Sequence, residues 1–194
     1  GNMLMHHPNR SKRSVGIDLS QPEGQELLYE MVKHCDIFLT NYLPSARRKF
    51  KIDVEDLRKH NPNLIYVSAS GAGRTGPEAR AVAYGTLLQC YAGFAGLNRH
   101  PDVPPRVGMA WLDPMCGLML AFITAAAVWR RRRTGDTTRI DFSMIEAMLW
   151  TMAEPLLESH LGTAPQPRGN RSDHHVPHGV WRCRGHDEWI SLAI

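Results

Sequence analysis

The 194-residue chain has 43% hydrophobic residues and a formal net charge of +4, so it can bury a real core and reads as a globular protein. Its basic residues fall in separate short clusters, which suit an anionic small molecule at least as well as a nucleic acid. The clusters are residues 9–14 (NRSKRS), 47–51 (RRKFK) and 130–133 (RRRR). Because no zinc-finger, RRM or helix-turn-helix pattern accompanies them, we expect no nucleic-acid partner.

Cysteine usage and apolar segments predict a protein of a reducing compartment. Cys35, Cys90, Cys116 and Cys183 form no CxxC pair. The sequence shows no secretory signal, so we expect reduced thiols and a cytoplasmic location. The longest apolar stretch, Leu118–Trp129, is too short to span a bilayer and lies next to a basic run, which predicts no membrane partner.

Strands and helices are predicted to alternate along the first part of the chain. A strand-like segment, Val15–Leu19, precedes a helix from Pro22 to about His34, and Ser20 and Glu23 have the spacing of a capping box. The elements that follow are a strand at Ile37–Thr40, a helix at Pro44–Phe50, a helix capped by Asp53 and a strand at Leu64–Ser68. This alternation implies a parallel sheet with crossover connections.

The second part is predicted to contain longer helices. The predicted elements are a helix at Thr86–Leu97, a helix at Pro114–Arg132, a strand at Arg139–Ser143 and a helix at Met144–Gly162 that Pro155 kinks. Residues 163–178, rich in Pro, Gly, Asn and His, are interpreted as a linker. Val180–Cys183 and Glu188–Ala193 form a predicted hairpin. We therefore predict an α/β portion over 1–162 and the start of a second, smaller domain over 179–194.

Both ends of the sequence look cut. The chain opens on GNMLMHHPNRSKRS without a preceding strand–helix unit, and it stops within the predicted strand WISLAI. A doubly wound sheet with so few strands would leave its faces uncovered. We therefore expect a longer protein, or a chain completed by a partner.

Asp113, in the apolar run MAWLDPMCGLML, is the candidate catalytic residue. An aspartate followed by a proline is a preferred helix start, so capping alone would explain the pair Asp113-Pro114. Catalysis is compatible with capping, because the dipole and amides of a helix N-terminus stabilise and orient a carboxylate, as a nucleophile requires. Cys116 has no histidine with an obvious claim on it and is interpreted as a core thiol.

Two other motifs are explained more simply by structure than by chemistry. The loop GAGRTGP, residues 71–77, follows a strand but lacks the pattern of a nucleotide-binding loop, and it is interpreted as a flexible turn. His174, His175 and His178 suggest zinc. However, Pro177 breaks any helical spacing and no cysteine lies close in sequence, so we expect no metal site.

Four segments together resemble one known family. They are NRSKRSVGIDLSQPEGQELL, DIFLTNYLP, NPNLIYVSASGAGRTGP and LDPMCGLMLAFITAAAVWRRRRTGDTTRIDFSMIEA, and RGN and PHGVWRCRG extend the likeness. The sequence is thus similar to the family III CoA-transferases, also called the CaiB/BaiF family, over nearly its whole length. Such enzymes move coenzyme A from an acyl-CoA to a carboxylic acid. Their chains, about twice this length, have a Rossmann-like large domain and a smaller one and form interlocked dimers.

The resemblance implies roles for individual residues. Asp113 corresponds to the aspartate that attacks the donor thioester and passes through a mixed anhydride and an aspartyl-CoA thioester, without ATP or a metal. Residue-by-residue matching places Arg13, Asn41, Tyr42 and Lys49 where the family contacts CoA, and Tyr84 near the thioester. Arg10 and Lys12 are further candidates for holding the CoA phosphates.

Two departures from the family pattern narrow the expected activity. The racemase branch has a His–Asp pair where this chain has Tyr84-Gly85, which disfavours a racemase but leaves it as an alternative. The formyl-CoA branch has a glycine-rich lid where this chain reads SDHHV (172–176), so oxalate/formate specificity is not implied. Family members with GNR-type loops include transferases that take CoA from succinyl-CoA, so the resemblance makes succinyl-CoA the expected donor. A third alternative is an inactive chain that binds CoA or only a partner subunit.

Overall fold

A three-stranded parallel sheet is the centre of the fold in the computed structural model, which describes residues 9–194. The strands lie in the order β1 (Ile37–Thr40), β2 (Ile65–Ser70) and β3 (Arg139–Ser143). Val67 of the middle strand pairs with Leu39 on one side and with Ile140 on the other. The predicted α/β class, a parallel sheet with flanking helices, is confirmed.

Eight helices and a separate hairpin complete the part of the chain that the structure describes. The helices are α1 (Pro22–Val32), α2 (Pro44–Phe50), α3 (Val54–Leu57), α4 (Gly85–Tyr91), α5 (Phe94–Leu97), α6 (Leu112–Thr134), α7 (Met144–Thr151) and α8 (Ala153–His160). The hairpin consists of β4 (His178–Arg182) and β5 (Trp189–Ala193), which are antiparallel. The chain leaves the sheet after Ser70 and returns at Arg139. The helices α4, α5 and α6 therefore all belong to the connection between the neighbouring strands β2 and β3.

The middle strand is buried on both faces and divides the core in two. Ile65 and Val67 belong to one apolar cluster, together with residues of α6 and α7. Tyr66, whose side chain points to the opposite face, belongs to a second cluster with Val32 and Ile52. A central parallel strand covered on both sides is expected to read as a continuous apolar run, and the first half of β2, residues 65–67, does.

The segment before α1 differs from its prediction. Val15–Leu19 forms no strand, and α1 begins after Gln21 rather than after a capping Ser20. The amide and Oγ of Ser20 donate to Oδ1 of Asp18 at 2.9 and 2.6 Å, so the hydroxyl is not available to the helix. These hydrogen bonds lower the pKa of Asp18. The predicted capping box is therefore wrong, because a local Asp–Ser turn takes its hydroxyl.

Two helices predicted as single are each divided. The helix predicted at Thr86–Leu97 breaks at Gly93, whose φ of +87° is left-handed. The helix predicted at Met144–Gly162 breaks at Met152, before Pro155 rather than at it. Proline lacks the N–H that would bond the carbonyl four residues earlier, and its ring clashes there. The interruption thus falls in the turn that precedes the proline.

The start of α6 lies two residues before the predicted position. Trp111 is the N-cap and Leu112 the first helical residue, so Asp113 lies in the first turn and its side chain caps nothing. Its interpretation as a helix cap is wrong. Asp53 occupies the predicted N-cap of α3 but also makes no side-chain cap, because its carboxylate lies against Arg47.

Within residues 9–194, α6 is the one helix long and apolar enough, by length and composition, to cross a membrane. This helix is longer than the apolar stretch Leu118–Trp129, which by itself is too short to span a bilayer. One face of it packs into the core through buried Leu112, Cys116 and Ala127. The other face is uncovered, and Leu118 and Phe122 are each 75% exposed. Its core contacts favour a packing helix of the α/β fold.

The predicted hairpin is present at residues 178–193. Trp181 pairs with Ile190 and Val180 with Ser191 across the two strands. All of β5 is exposed. The division of the chain into 1–162, 163–178 and 179–194 stays a prediction.

Candidate functional site

A cleft of about 770 Å³ opens at the carboxyl ends of β1 and β2. Ligands of open α/β sheets bind at this edge. Most of the lining is apolar, and among the described residues its charged members are Arg74 and Asp113. Asn41, Tyr42 and Tyr84 also line it, so the structure brings four of the predicted site residues together around one cavity.

The carboxylate of Asp113 lies against the backbone of Gly85, the first residue of α4. A Cβ at position 85 would lie 2.3 Å from Oδ2 and 2.7 Å from Oδ1 of Asp113. Only glycine therefore leaves room for the carboxylate in this position. Asp113 is exposed, so its oxygens remain accessible to a ligand in the cleft. The sequence did not predict that Gly85 makes room for the Asp113 carboxylate, because no local motif signals this contact.

Tyr42 forms an aromatic part of the cleft wall. Its amide donates to Oγ1 of Thr40 at 3.2 Å, which fixes the turn that follows β1. Its ring meets Phe50 edge-on at a centroid distance of 5.8 Å, and Nζ of Lys49 lies 5.7 Å from the Phe50 centroid. Lys49 is exposed and does not line the cleft. Lys49 contacts Phe50, and Phe50 in turn contacts Tyr42, which lines the cleft.

The remaining basic candidates lie outside the cleft. Arg10, Lys12 and Arg13 are exposed and line no part of it. Lys12 donates its amide to the carbonyl of Asn9 at 3.2 Å, so this basic segment forms a turn. Tyr84, in contrast, lines the cleft and is 85% exposed.

Arg74, in the loop interpreted from sequence as a flexible turn, is the cation of this site. Its Nη2 donates to the carbonyls of Asn41, Tyr42 and Ala69 at 3.2, 2.9 and 3.3 Å. Its amide donates to Oδ2 of Asp141 at 3.1 Å. Arg74 thereby joins the ends of three strands, and burial lowers its pKa. A lone arginine in a loop that follows a strand was the available signal.

Cys116 lies in the same cleft, one helical turn after Asp113. Burial, and secondarily the negative charge of Asp113, raise the pKa of the thiol to about 11. The thiolate is the reactive form. A pKa raised from 9.0 to about 11 lowers its population at pH 8 by roughly 100-fold.

We therefore expect Cys116 to resist iodoacetamide at pH 8, while the exposed Cys35, Cys90 and Cys183 react. Peptide mass spectrometry over a time course measures the four rates separately. Labelling of Cys116 is expected to accelerate as the pH rises towards 11. A rate equal to that of Cys90 at pH 8 would contradict the burial of this thiol.

Two of the three histidines in the segment SDHHVPH lie near each other in the structure. His175 and His178 have ring centroids 6.1 Å apart, and Nδ1 of His178 lies 2.9 Å from the carbonyl oxygen of Asn170. No group of three or more His, Cys, Asp or Glu residues among 9–194 is arranged to hold a metal ion.

Comparisons with known proteins agree on one family. The model of CoA-transferase family III matches residues 1–194. The acetyl-CoA:oxalate CoA-transferase of Acetobacter aceti is 36% identical over 179 residues, which are 91% of this chain and 46% of the relative. The succinate–glutarate CoA-transferase of Agrobacterium fabrum is 32% identical over 191 residues, 97% of this chain and 47% of the relative.

A solved structure shows the same fold. The crystal structure of a CaiB/BaiF family protein from Brucella suis superposes with a TM-score of 0.84 at 30% identity. The superposition covers 94% of this chain and 48% of that one. The chain thus spans about half the length of the relatives that it matches.

Proposed function

Since the chain belongs to CoA-transferase family III, we propose that the protein transfers coenzyme A from an acyl-CoA donor to a carboxylic acid acceptor. The observation that carries this proposal is the exposed carboxylate of Asp113, which shares one cleft with Asn41, Tyr42 and Tyr84. A nucleophile in a largely apolar cavity with few polar groups is suited to acyl transfer.

In the proposed reaction, a carboxylate oxygen of Asp113 attacks the thioester carbonyl of the donor. The C–S bond breaks, coenzyme A leaves as a thiolate, and a mixed anhydride forms. The thiolate then attacks the carbonyl carbon of Asp113, releasing the donor acid and leaving an aspartyl-CoA thioester. The acceptor carboxylate repeats the two steps in reverse. Each step exchanges one activated acyl bond for another, so ATP is not required.

The position of Asp113 in the first turn of α6 supports this chemistry. Amides in the first turn of a helix have no partner within the helix and carry partial positive charge. In the proposal they stabilise the oxyanions that form when a carbonyl is attacked. The pantetheine arm lies along Tyr42, and Lys49, Arg10, Lys12 and Arg13 hold the CoA phosphates outside the cleft.

The acids named for the two relatives, oxalate in one and succinate and glutarate in the other, all carry two carboxylates. We infer the same class, a dicarboxylic acid, for at least one substrate of this protein. The racemase alternative is not favoured, because Gly85 has no side chain that could share a proton with Asp113. A homodimer and a cytoplasmic location stay predictions.

The covalent step is tested by trapping. The protein is incubated with succinyl-CoA or acetyl-CoA, treated with hydroxylamine or borohydride, digested and examined by mass spectrometry. We expect the modification on Asp113, because both reagents attack an activated aspartyl carbonyl and leave a free carboxylate unchanged.

Asp113→Ala and Asp141→Asn are the controls for the trapping. Asp113→Ala is expected to give no modified peptide, and Asp141→Asn, which keeps the nucleophile, is expected to give one. An unmodified Asp113 in a wild-type protein that transfers CoA would overturn the aspartyl intermediate.

A further inference from the structure

Two polar side chains at or just after the end of β2 have donors that no group among residues 9–194 satisfies. Ser70 is the last residue of β2 and Arg74 lies four residues further on, in the loop that follows. Both line the cleft that contains Asp113. Neither enters the proposed covalent steps, so their free donors need another explanation.

Arg74 is held in place by one nitrogen and leaves the others free. Its Nη2 is engaged by the carbonyls of Asn41, Tyr42 and Ala69. Its Nε is buried without an acceptor among the described residues. Its side-chain hydrogen bonds within residues 9–194 all come from Nη2, so Nη1 has no acceptor there. Arginine cannot lose its charge at neutral pH, and a desolvated guanidinium favours an anionic partner. The guanidinium is thus held in place through Nη2, and its other N–H groups remain available to bind an acceptor.

Ser70 adds a second donor to the same cleft. The residue is only 8% exposed, and its Oγ has no hydrogen-bond partner in the described part of the chain. A buried hydroxyl without a partner is costly and rare in folded proteins. Its χ1 can rotate among staggered positions, so the hydroxyl can turn towards a group bound in the cleft.

We propose that Ser70 Oγ and Arg74 Nη1 bind the second carboxylate of a dicarboxylic acyl group, the one not joined to coenzyme A or to Asp113. This proposal rests on the proposed CoA transfer. While one carboxylate reacts, the other stays ionised and enters a mostly apolar cleft. A charge moved from water into such surroundings must be paired and hydrogen-bonded. Arg74 is the one cation among the described lining residues that can pair it.

The experiment compares two acceptors that differ in one charge, glutarate and monomethyl glutarate. The protein is given acetyl-CoA or succinyl-CoA as donor, and the new acyl-CoA is quantified chromatographically. We expect kcat/KM for glutarate to exceed that for its monoester by on the order of 10- to 100-fold, the usual effect of one charge-assisted hydrogen-bonded contact.

Variants assign that preference to the two residues. Arg74→Gln is expected to bring the ratio of the two kcat/KM values close to one, and Arg74→Lys to leave an intermediate ratio. Ser70→Ala removes a hydroxyl that has no hydrogen-bond partner among residues 9–194, so the variant is expected to fold and to lower the ratio several-fold. The matched control is Arg132→Gln, an exposed arginine outside the cleft, which is expected to keep the wild-type ratio.

Each outcome bears on one proposal. Because the ratio of the two kcat/KM values is measured within each variant, a general loss of activity cancels from it. If Arg74→Gln fails to fold, the ratio in Ser70→Ala tests the second-carboxylate site. Equal use of both acceptors by the wild type, or a preference retained in Ser70→Ala and Arg74→Gln, overturns the second-carboxylate site while CoA transfer stands. No transfer to either acceptor from either donor overturns the proposed function, and this inference with it.

Discussion

Replacing Gly85 with alanine is expected to lower the rate of CoA transfer by about 100-fold while the protein stays folded. The added Cβ would lie 2.3 Å from Oδ2 of Asp113, a distance that no stable contact allows. The φ of Gly85 is not left-handed, so alanine can adopt this backbone without strain. The carboxylate is the end of a flexible side chain and therefore moves, and the nucleophile leaves its reactive position.

Gly96→Ala is the matched control, since a Cβ there would meet nothing within 4 Å. Steady-state kinetics with both variants, together with thermal unfolding, separate a displaced nucleophile from a damaged fold. We expect kcat to fall in Gly85→Ala and both variants to melt near the wild-type temperature. Wild-type kcat in Gly85→Ala would show that the position of the carboxylate does not limit the reaction.

Replacing Arg47 with methionine is expected to lower the free energy of unfolding by about 3 kcal/mol, because the polar groups that Arg47 contacts would stay buried without their partner. Arg47 is 4% exposed, and its Nη1 donates to the hydroxyls of Tyr66 and Ser68 at 3.3 and 3.2 Å. Its Nε lies 3.3 Å from Oδ1 of Asp53. The value lies at the lower end of the usual range because Asp53 retains some contact with water.

Urea unfolding of Arg47→Met and of Arg48→Met measures this effect with a control on the same helix. Arg48 is exposed and makes no ion pair within residues 9–194, so its replacement is expected to change stability by less than about 0.5 kcal/mol. A further replacement, Asp53→Asn, is expected to cost less in the Arg47→Met background than in the wild type. Equal stability of the two single variants would contradict the role of the buried network.

The parts of the fold that local patterns specify could be predicted to the residue. Ile37–Thr40 and Arg139–Ser143 are short apolar or alternating runs between polar residues, and the structure places strands at these bounds. Pro44 sets the start of α2 because it is tolerated only in a first turn. Val15–Leu19 has equal strand propensity but no pairing partner among the described residues, and propensity without a partner does not make a strand.

Part of the site could also be predicted, because the topology of the sheet places some of its residues. Asn41 and Tyr42 follow a predicted strand, and parallel strands bring their carboxyl ends to one edge, so their place in the cleft follows from topology. The role of Arg74 does not, because its acceptors Asn41 and Tyr42 precede it by 33 and 32 positions and Asp141 follows by 67. Contacts at such separations depend on the final packing and leave no local pattern.

The excursion of the chain between β2 and β3 has a consequence for how such a protein can diversify. Asp113 lies inside this excursion, while the strands on either side of it, β2 and β3, pair with each other over five positions. The entropy of closing a loop rises only with the logarithm of its length, so insertions in the loop before α4, whose residues 81–84 line the cleft, cost the sheet little. Mutation can therefore reshape the wall that faces the acyl group in small steps, and new substrates become reachable while the strands and α6, which carries the nucleophile, stay the same.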